Sequence, residues 1–318
     1  MLRVSGETEW KRLEQLTRQR SLSGDEIDEF DRLYRSTTTD LARVRTFNPD
    51  PDVIAELSRI LSAARGRLAG TGGLSGAVIA RFFTVSLPLT LYRIRWVILA
   101  VMAAFIAIAG VQAYYLMSHP DVMNELGTPE QLKYYAQSAF VEYYHQDTNA
   151  EFGLSVWANN AWIALVGVAT GITGVYPLRI LWENATSIGT ATAIVFSYGG
   201  VWHFFRFILP HGLPELTAVF ISIAAGLRVF WSLLVPGPMT RFQAVGQAAR
   251  SAMTVAAGCA ILLAGSGVLE GFVTPSDLPD AVKITLGALM TAAVWAYILI
   301  LGRRAHQAGA SADVGTDA

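Results

Sequence analysis

The residues best suited to chemistry lie in the segment Pro210–Leu216, where a histidine and a glutamate stand four positions apart. On one helix, His211 and Glu215 would share a face and could ligate a metal or act as an acid–base pair. The spacing is His-x-x-x-Glu with a proline inside it, and it does not match the His-Glu-x-x-His motif of zinc enzymes. A metal site would need a third protein ligand, and the sequence assigns none. We therefore predict no metal, no cofactor and no catalytic residue.

The same residues also suit the start of a helix at a membrane surface. Pro214 would occupy the first helical position, where its missing N–H costs nothing. Glu215 would then lie in the first turn, where the helix dipole favours an anion. Gly212 would permit a tight reversal, and Pro210 would end the preceding helix. This interpretation explains more residues and predicts an outer-surface turn between two membrane spans, with a polar binding or partner-contact role for His211 left open.

The elements that must position these residues belong to a strongly apolar chain. Of its 318 residues, 53% are hydrophobic and 15% charged, and the mean hydropathy is +0.39. This composition indicates a membrane protein. A single cysteine, Cys259, excludes an intrachain disulfide and argues against a thiolate metal cluster. No cleavable signal peptide pattern follows Met1, so we expect the first membrane span, which begins near Trp96, to serve also as the insertion signal.

Six apolar runs have the length of about 20 residues that crosses a hydrocarbon core of ~30 Å. They lie near 96–117, 154–176, 186–209, 214–235, 251–271 and 282–302. We therefore predict an all-α, polytopic helical membrane protein with about six transmembrane helices in residues 96–302. Residues 118–153 are predicted to form an external amphipathic segment that contacts an extracytoplasmic partner or lies against the bundle.

The regions outside the predicted spans are also helical or unstructured in pattern. Residues 1–75 contain three amphipathic stripes, and Ser23 with Glu26 forms a capping-box pattern, so a small cytoplasmic helical domain is predicted. Residues 76–95 are apolar but interrupted by arginines and a proline, which predicts an interfacial elbow helix. Residues 303–318 are predicted to be a disordered cytoplasmic tail.

The arginines predict the orientation. They would lie on one side of the membrane if both termini are cytoplasmic, in agreement with the positive-inside rule. The arginines concerned are Arg93, Arg95, Arg179, Arg241, Arg250, Arg303 and Arg304. The opposite side would carry mostly Asp and Glu. We therefore predict a multi-pass protein with both termini in the cytoplasm.

Polar side chains at membrane depth need partners, and they are the remaining candidates for a polar core or a binding site. These candidates are Asn159, Asn160, Glu183, Asn184, His211, Glu215, Arg228 and Glu270. From depth alone, Arg228 is expected to pair with Glu183 near the inner surface. Near the outer surface, Arg206 and His211 are the expected partners of the two remaining glutamates. Structural pairing is favoured over transport or catalysis.

Taken in chain order, several positions resemble the stage II sporulation protein M family of bacterial membrane proteins. The resemblance covers about 80–302, and residues 1–75 together with the Arg- and Ala-rich, Lys-poor composition are similar to the longer branch in non-sporulating bacteria. The motifs are Asn159-Asn160, the run Gly167, Gly171 and Gly174, Glu183-Asn184 with Gly189, and Pro210-His211-Gly212 with Glu215.

The resemblance implies an inner-membrane scaffold that anchors peptidoglycan-degrading enzymes. We therefore expect a non-catalytic scaffold in the bacterial cytoplasmic membrane, with membrane lipids and a protein such as a peptidoglycan hydrolase as partners. No nucleic acid partner is expected, and homo-oligomerisation is left open. The alternative is a transporter or permease-like subunit, and a less favoured one is an intramembrane enzyme that uses His211 and Glu215.

Overall fold

The computed structural model describes residues 2–19, 22–47, 49–68, 76–139 and 149–312, and the regular elements in these ranges are helices. The chain divides between Ile79 and Ala80 into an N-terminal unit and a larger membrane unit. The all-α prediction is therefore confirmed for the described residues.

The N-terminal unit contains α1 (Leu2–Arg18), α2 (Gly24–Phe47) and α3 (Pro51–Leu68). Its apolar stripes meet in one core, which buries Trp10, Leu13, Leu16, Phe30, Leu33, Leu57 and Ile60 among others. The predicted capping box is confirmed: the Ser23 N–H donates to the Glu26 carboxylate (2.9 Å), and the Glu26 N–H donates to Ser23 Oγ (3.4 Å). These two bonds satisfy backbone donors at the start of α2.

The membrane unit is a helical bundle. The division between the units falls inside α4 (Gly76–Arg81). The helices that follow are α5 (Leu87–Ser118), α6 (Pro120–Glu125), α7 (Pro129–Tyr134), α8 (Asn149–Ala169), α9 (Val175–Tyr198), α10 (Val201–Leu234), α11 (Arg241–Val268), α12 (Asp280–Tyr297) and α13 (Arg303–Gln307). Wider π-helical turns follow α4, α7, α11 and α12, at Phe82–Ser86, Tyr135–Ala139, Leu269–Val273 and Ile298–Gly302. The predicted elbow 76–95 is helical and continues into α5, and residues 140–148 and 313–318 of the predicted outer segment and tail lie outside the described residues.

Four stretches among the described residues are long and apolar enough to cross a membrane: Gly76–Ser118, Val201–Leu234, Arg241–Val273 and Asp280–Gln307. They contain the predicted runs 96–117, 251–271 and 282–302, and most of the run 214–235. The predicted run 154–176 coincides largely with a shorter apolar helix, Gly153–Ala169. The fold is therefore that of a polytopic membrane protein.

The predicted turn at Pro210–Pro214 is wrong. Helix α10 runs through both prolines, and the chain instead breaks at Gly199–Gly200, where Gly200 has φ 94° and so adopts a backbone conformation that favours glycine. The predicted run 186–209 therefore straddles the end of α9 and the start of α10. Proline in a membrane helix is tolerated when neighbouring helices satisfy the backbone groups it frees.

Helix α10 is the central element of the bundle and packs against α5, α8, α9, α11 and α12. Its close approach to α8 and to the 3₁₀ turn Gly171–Thr173 that follows α8 depends on glycine. A Cβ added to Gly226 would meet the carbonyl oxygen of Gly167, and one added to Gly171 would meet Gly226 at 2.7 Å. Small residues at helix crossings allow this contact in a membrane, where burial provides little drive for association. The Gly167/Gly171 pair thus serves packing.

Candidate functional site

Three ionisable side chains meet in the interior of the membrane unit. His211 and Glu215 lie one turn apart on α10, and Glu270 lies in the π turn that follows α11. One ligand atom of each residue can be chosen so that all three lie within 4.8 Å of one another. Glu270 is therefore the third possible ligand beside His211 and Glu215, which the sequence around these two residues could not assign.

The imidazole of His211 lies beside Thr274 and Glu270. Its Nδ1 lies 3.2 Å from Thr274 Oγ1, and its Nε2 lies 3.8 Å from Glu270 Oε1. The second distance is too long for a hydrogen bond. Only 3% of His211 is exposed, which argues against the partner-contact role that the sequence left open. Ser266 Oγ donates to the His211 carbonyl (2.9 Å), which ties α11 to α10 beside the prolines.

The two glutamates have different surroundings. The side-chain amide of Asn160, on α8, donates to Glu215 Oε1. Glu270 is 4% exposed, and its Oε2 makes no hydrogen bond within the described part of the chain. Across the same residues, neither carboxylate forms an ion pair with Lys or Arg; the nearby Lys283 donates to the Thr274 carbonyl (2.8 Å).

The π turn fixes the positions of Glu270 and Thr274. The Thr274 N–H donates to the carbonyl of Leu269, five residues earlier (2.8 Å), and its hydroxyl donates to the same oxygen (3.1 Å). A π turn is wider than an α-helical turn, and such turns occur often at functional sites. Here it directs a carboxylate and a hydroxyl towards the same imidazole.

This arrangement can bind a cation or exchange protons, since it combines an imidazole with two carboxylates in a buried setting. Ionised groups at membrane depth are costly unless neutralised, and they are more often functional than incidental. Of the expected pairings near the outer surface, the structure brings His211 and Glu270 to within 3.8 Å of each other. Arg206 does not pair with either glutamate; its guanidinium lies over the ring of Phe207, 4.7 Å from the ring centroid.

The other predicted residues lie elsewhere. Asn159 is exposed, and the Asn184 amide donates to the Ile180 carbonyl (2.9 Å). The predicted pair of Arg228 with Glu183 is wrong. Glu183 accepts instead from Arg179 (2.7 Å), which lies one turn earlier on the same helix and is therefore its natural neighbour.

Arg228 lines a cavity of about 570 Å³ with Arg93 and His306. Thr90 and Ser251 also contribute to its wall. Arg228 is therefore separated from the polar residues around His211, although both sets lie in the membrane unit.

Sequence reasoning missed Thr274 and Ser266, the two hydroxyl residues that contact His211. Thr274 follows Glu270 at helical spacing, a signal that was available once Glu270 had been chosen. Ser266 offered no comparable signal, because a serine in an apolar helix usually bonds to its own backbone.

The fold and the buried polar site define a polytopic α-helical membrane protein with an additional helical unit at the N-terminus. The family model of Stage II sporulation protein M matches residues 96–275, more than half of the chain. The chain therefore belongs to the stage II sporulation protein M family, as the resemblance in the sequence predicted. His211, Glu215 and Glu270 all lie inside the matched residues.

A second family model, Domain of unknown function (DUF8413), matches residues 5–70, which form most of the N-terminal unit. No curated protein and no solved structure matches this chain.

Proposed function

We propose that this protein is a non-catalytic scaffold that holds a cell-envelope protein at the outer surface of the cytoplasmic membrane. The supporting observation is the segment formed by α6, α7 and the π turn Tyr135–Ala139. It is anchored on one side and exposed on the other. Met123, Leu132 and Ala136 are buried in a cluster with residues of α5, α9 and α10.

The opposite side of this segment presents large side chains. Tyr134 is 57% exposed and Leu126 is 50% exposed, and Tyr114 and Tyr115 at the end of α5 are exposed as well. Tyrosine is enriched in protein interfaces because its ring buries apolar area while its hydroxyl keeps a polar partner. A segment that is anchored on one side and exposes a tyrosine on the other is suited to holding another protein.

The chemistry of the partner is taken from the family. The name of the family connects it with sporulation, and the resemblance in the sequence implies anchoring of peptidoglycan-degrading enzymes. We propose a peptidoglycan hydrolase, or another peptidoglycan-remodelling protein, as the protein that binds at Tyr134. Lipids surround the bundle, and no nucleic acid takes part in this role.

The alternative of a transporter receives less support from the geometry. A transport path would require the polar side chains of the bundle to line one passage. Instead, Glu183 is exposed beside Arg179, and Arg228 lines a cavity to which His211, Glu215 and Glu270 do not contribute. Dispersed polar groups of this kind favour a scaffold.

Photo-crosslinking in cells tests the scaffold directly. A photoreactive amino acid at Tyr134 should give adducts with a peptidoglycan-remodelling protein, identified by mass spectrometry. Phe242 at the start of α11 is the matched control, because it is an aromatic residue that is 90% exposed but would lie on the cytoplasmic side. Labelling at Phe242 should give different adducts.

The mutation Tyr134→Ser should also reduce co-purification of the crosslinked partner, since it removes the exposed ring without touching the buried side of α7. Recovery of no envelope protein at Tyr134, or of identical adducts at Tyr134 and Phe242, would argue against the scaffold.

A further inference from the structure

We propose that His211, Glu215 and Glu270 bind one divalent cation, Zn²⁺, between α10 and the π turn that follows α11. This inference goes beyond the scaffold role and does not depend on it. It rests on the spacing of the ligand atoms, the contact of His211 with Thr274, the contacts behind the ligands, and the charge of the site.

The spacing fits shared coordination better than direct contact. Two ligands of a tetrahedral Zn²⁺ with bonds of about 2.1 Å lie roughly 3.4 Å apart. The His211 Nε2 to Glu270 Oε1 distance is 3.8 Å, and the set of three lies within 4.8 Å. Small side-chain rotations would bring these atoms to bonding distance of one cation, whereas His211 and Glu270 are too far apart to hydrogen-bond.

The contact with Thr274 favours a proton on Nδ1 of the His211 ring. The Thr274 hydroxyl donates its proton to the Leu269 carbonyl, so it accepts a hydrogen bond from His211 Nδ1. In the neutral imidazole, Nε2 then carries a lone pair that faces Glu270. A divalent cation between Nε2 and Glu270 Oε1 would be bound by both atoms.

The contacts behind the ligands resemble those that orient ligands in metal sites. Metal-binding histidines commonly donate their second ring N–H to a fixed acceptor, and ligating carboxylates are themselves hydrogen-bonded. His211 has Thr274 in this position, and Glu215 has Asn160. Each of the two ligands on α10 is thus held from a different helix or turn.

Charge provides the last argument. Two glutamates lie together in the interior, and neither forms an ion pair with Lys or Arg across the described residues. In the same part of the chain, Glu270 Oε2 is buried and makes no hydrogen bond. A divalent cation would neutralise both carboxylates and provide a partner for this oxygen. Imidazole with carboxylates is a common ligand set for Zn²⁺.

Metal analysis of the full-length protein tests the site. The protein would be purified in detergent with a tag that contains no histidine, equilibrated with Zn²⁺, passed through a desalting column and measured by mass spectrometry of the metal. About one Zn²⁺ per chain is expected, as for a single site. Glu270→Gln, which keeps the size of the side chain, and His211→Ala should lose it.

Further variants separate binding from folding. Asn160→Ala should weaken Zn²⁺ binding by about 10- to 100-fold, because it frees a ligand from its orienting contact. Glu183→Gln removes an exposed carboxylate of the same unit and should leave the stoichiometry unchanged. Zn²⁺ should raise the thermal midpoint of the wild type and of Glu183→Gln, but not that of Glu270→Gln.

The proposal is overturned if the wild type retains no Zn²⁺, since the two carboxylates would then be neutralised by protons. It is equally overturned if a monodisperse Glu270→Gln variant retains as much Zn²⁺ as the wild type, because the metal would then lie elsewhere.

Discussion

Gly287 allows α12 to approach the proline-containing part of α10 closely, because its side chain is a single hydrogen atom. A Cβ added to Gly287 would overlap the carbonyl oxygen of Pro210. That carbonyl has no helical partner, because the residue four positions later is Pro214, which lacks an N–H. Gly287 therefore lets α12 cover a backbone group that the helix itself leaves unsatisfied.

The mutation Gly287→Ala should lower the free energy of unfolding by about 1–3 kcal/mol, the usual result of forcing a methyl group into a packed contact. Unfolding in detergent, followed by circular dichroism during titration with SDS, measures the change. Gly110→Ala on α5 is the control, because no atom lies within 4 Å of its added Cβ. We expect Gly110→Ala to be neutral or slightly stabilising; equal losses for both would contradict this account.

At this scale the sequence could predict only part of the candidate site. His211 and Glu215 are neighbours on one helix, so their spacing identified them as a pair. Glu270 belongs to another helix, and only the packing of α11 on α10 places it beside His211. The polar residues could be selected because they lie in apolar runs, but most of their partners could not, as Glu183 with Arg179 illustrates.

At the scale of elements, α1–α3 are the helices whose contacts were most predictable. Their cores follow the apolar spacing, and their surfaces are linked by ion pairs. Glu14 on α1 accepts from Arg18 on the same helix (2.8 Å) and from Arg59 on α3 (2.8 Å). The hydrogen bond from Arg59 contributes most to lowering the pKa of Glu14 below its ordinary value of 4.5.

We expect residues 1–75 to fold when expressed alone, because α1–α3 share a core of their own. Trp10 is the only tryptophan of this fragment and is 4% exposed, so its fluorescence reports unfolding. Glu14→Gln should lower the thermal midpoint at neutral pH. A carboxylate whose folded pKa is lowered stabilises the fold above its unfolded pKa and loses this effect as the pH falls through the folded value.

The difference between wild type and Glu14→Gln should therefore shrink as the pH falls below about 4.5 and vanish below the folded pKa of Glu14. Glu56→Gln, which changes an exposed carboxylate on α3, is the control and should have little effect at any pH. A difference that persists at low pH would mean that Glu14 acts through packing instead of charge.

The helix ends of the membrane unit were harder to predict than the apolar runs. Proline normally ends a helix, and this rule placed a turn at Pro210. In the bundle, α10 continues through both prolines, where Ser266 donates to the His211 carbonyl and α12 packs closely on Pro210 at Gly287. The true break at Gly199–Gly200 depends on a positive φ at Gly200, which a glycine permits but does not require.

At the scale of the whole molecule, the composition and hydropathy were sufficient to predict the class of protein. Composition and hydropathy could not fix the number of membrane crossings. Six were predicted, whereas four stretches among the described residues are long and apolar enough to cross a membrane. Helix α9, which carries Arg179 and Glu183, is not one of the four. The orientation depends on the arginines and stays a prediction.

Cysteine labelling can test the orientation. In a Cys259→Ala background, Asp121→Cys should react with a membrane-impermeant thiol reagent added to intact cells, whereas Arg241→Cys should react only after permeabilisation. Both positions are exposed, so access should depend on the side of the membrane. Labelling in the opposite order would reverse the proposed topology.

The π turn after α11 also bears on how this sequence could have changed during evolution. A π turn is what an α-helix becomes when it gains one residue without losing its continuity. Losing Gly271 would let the chain return to the α-helical form, but it would place Thr274 three positions after Glu270 instead of four and so change the directions of the two side chains relative to each other. Insertions and deletions in Leu269–Val273 should therefore be under stronger selection than exchanges of one apolar residue for another.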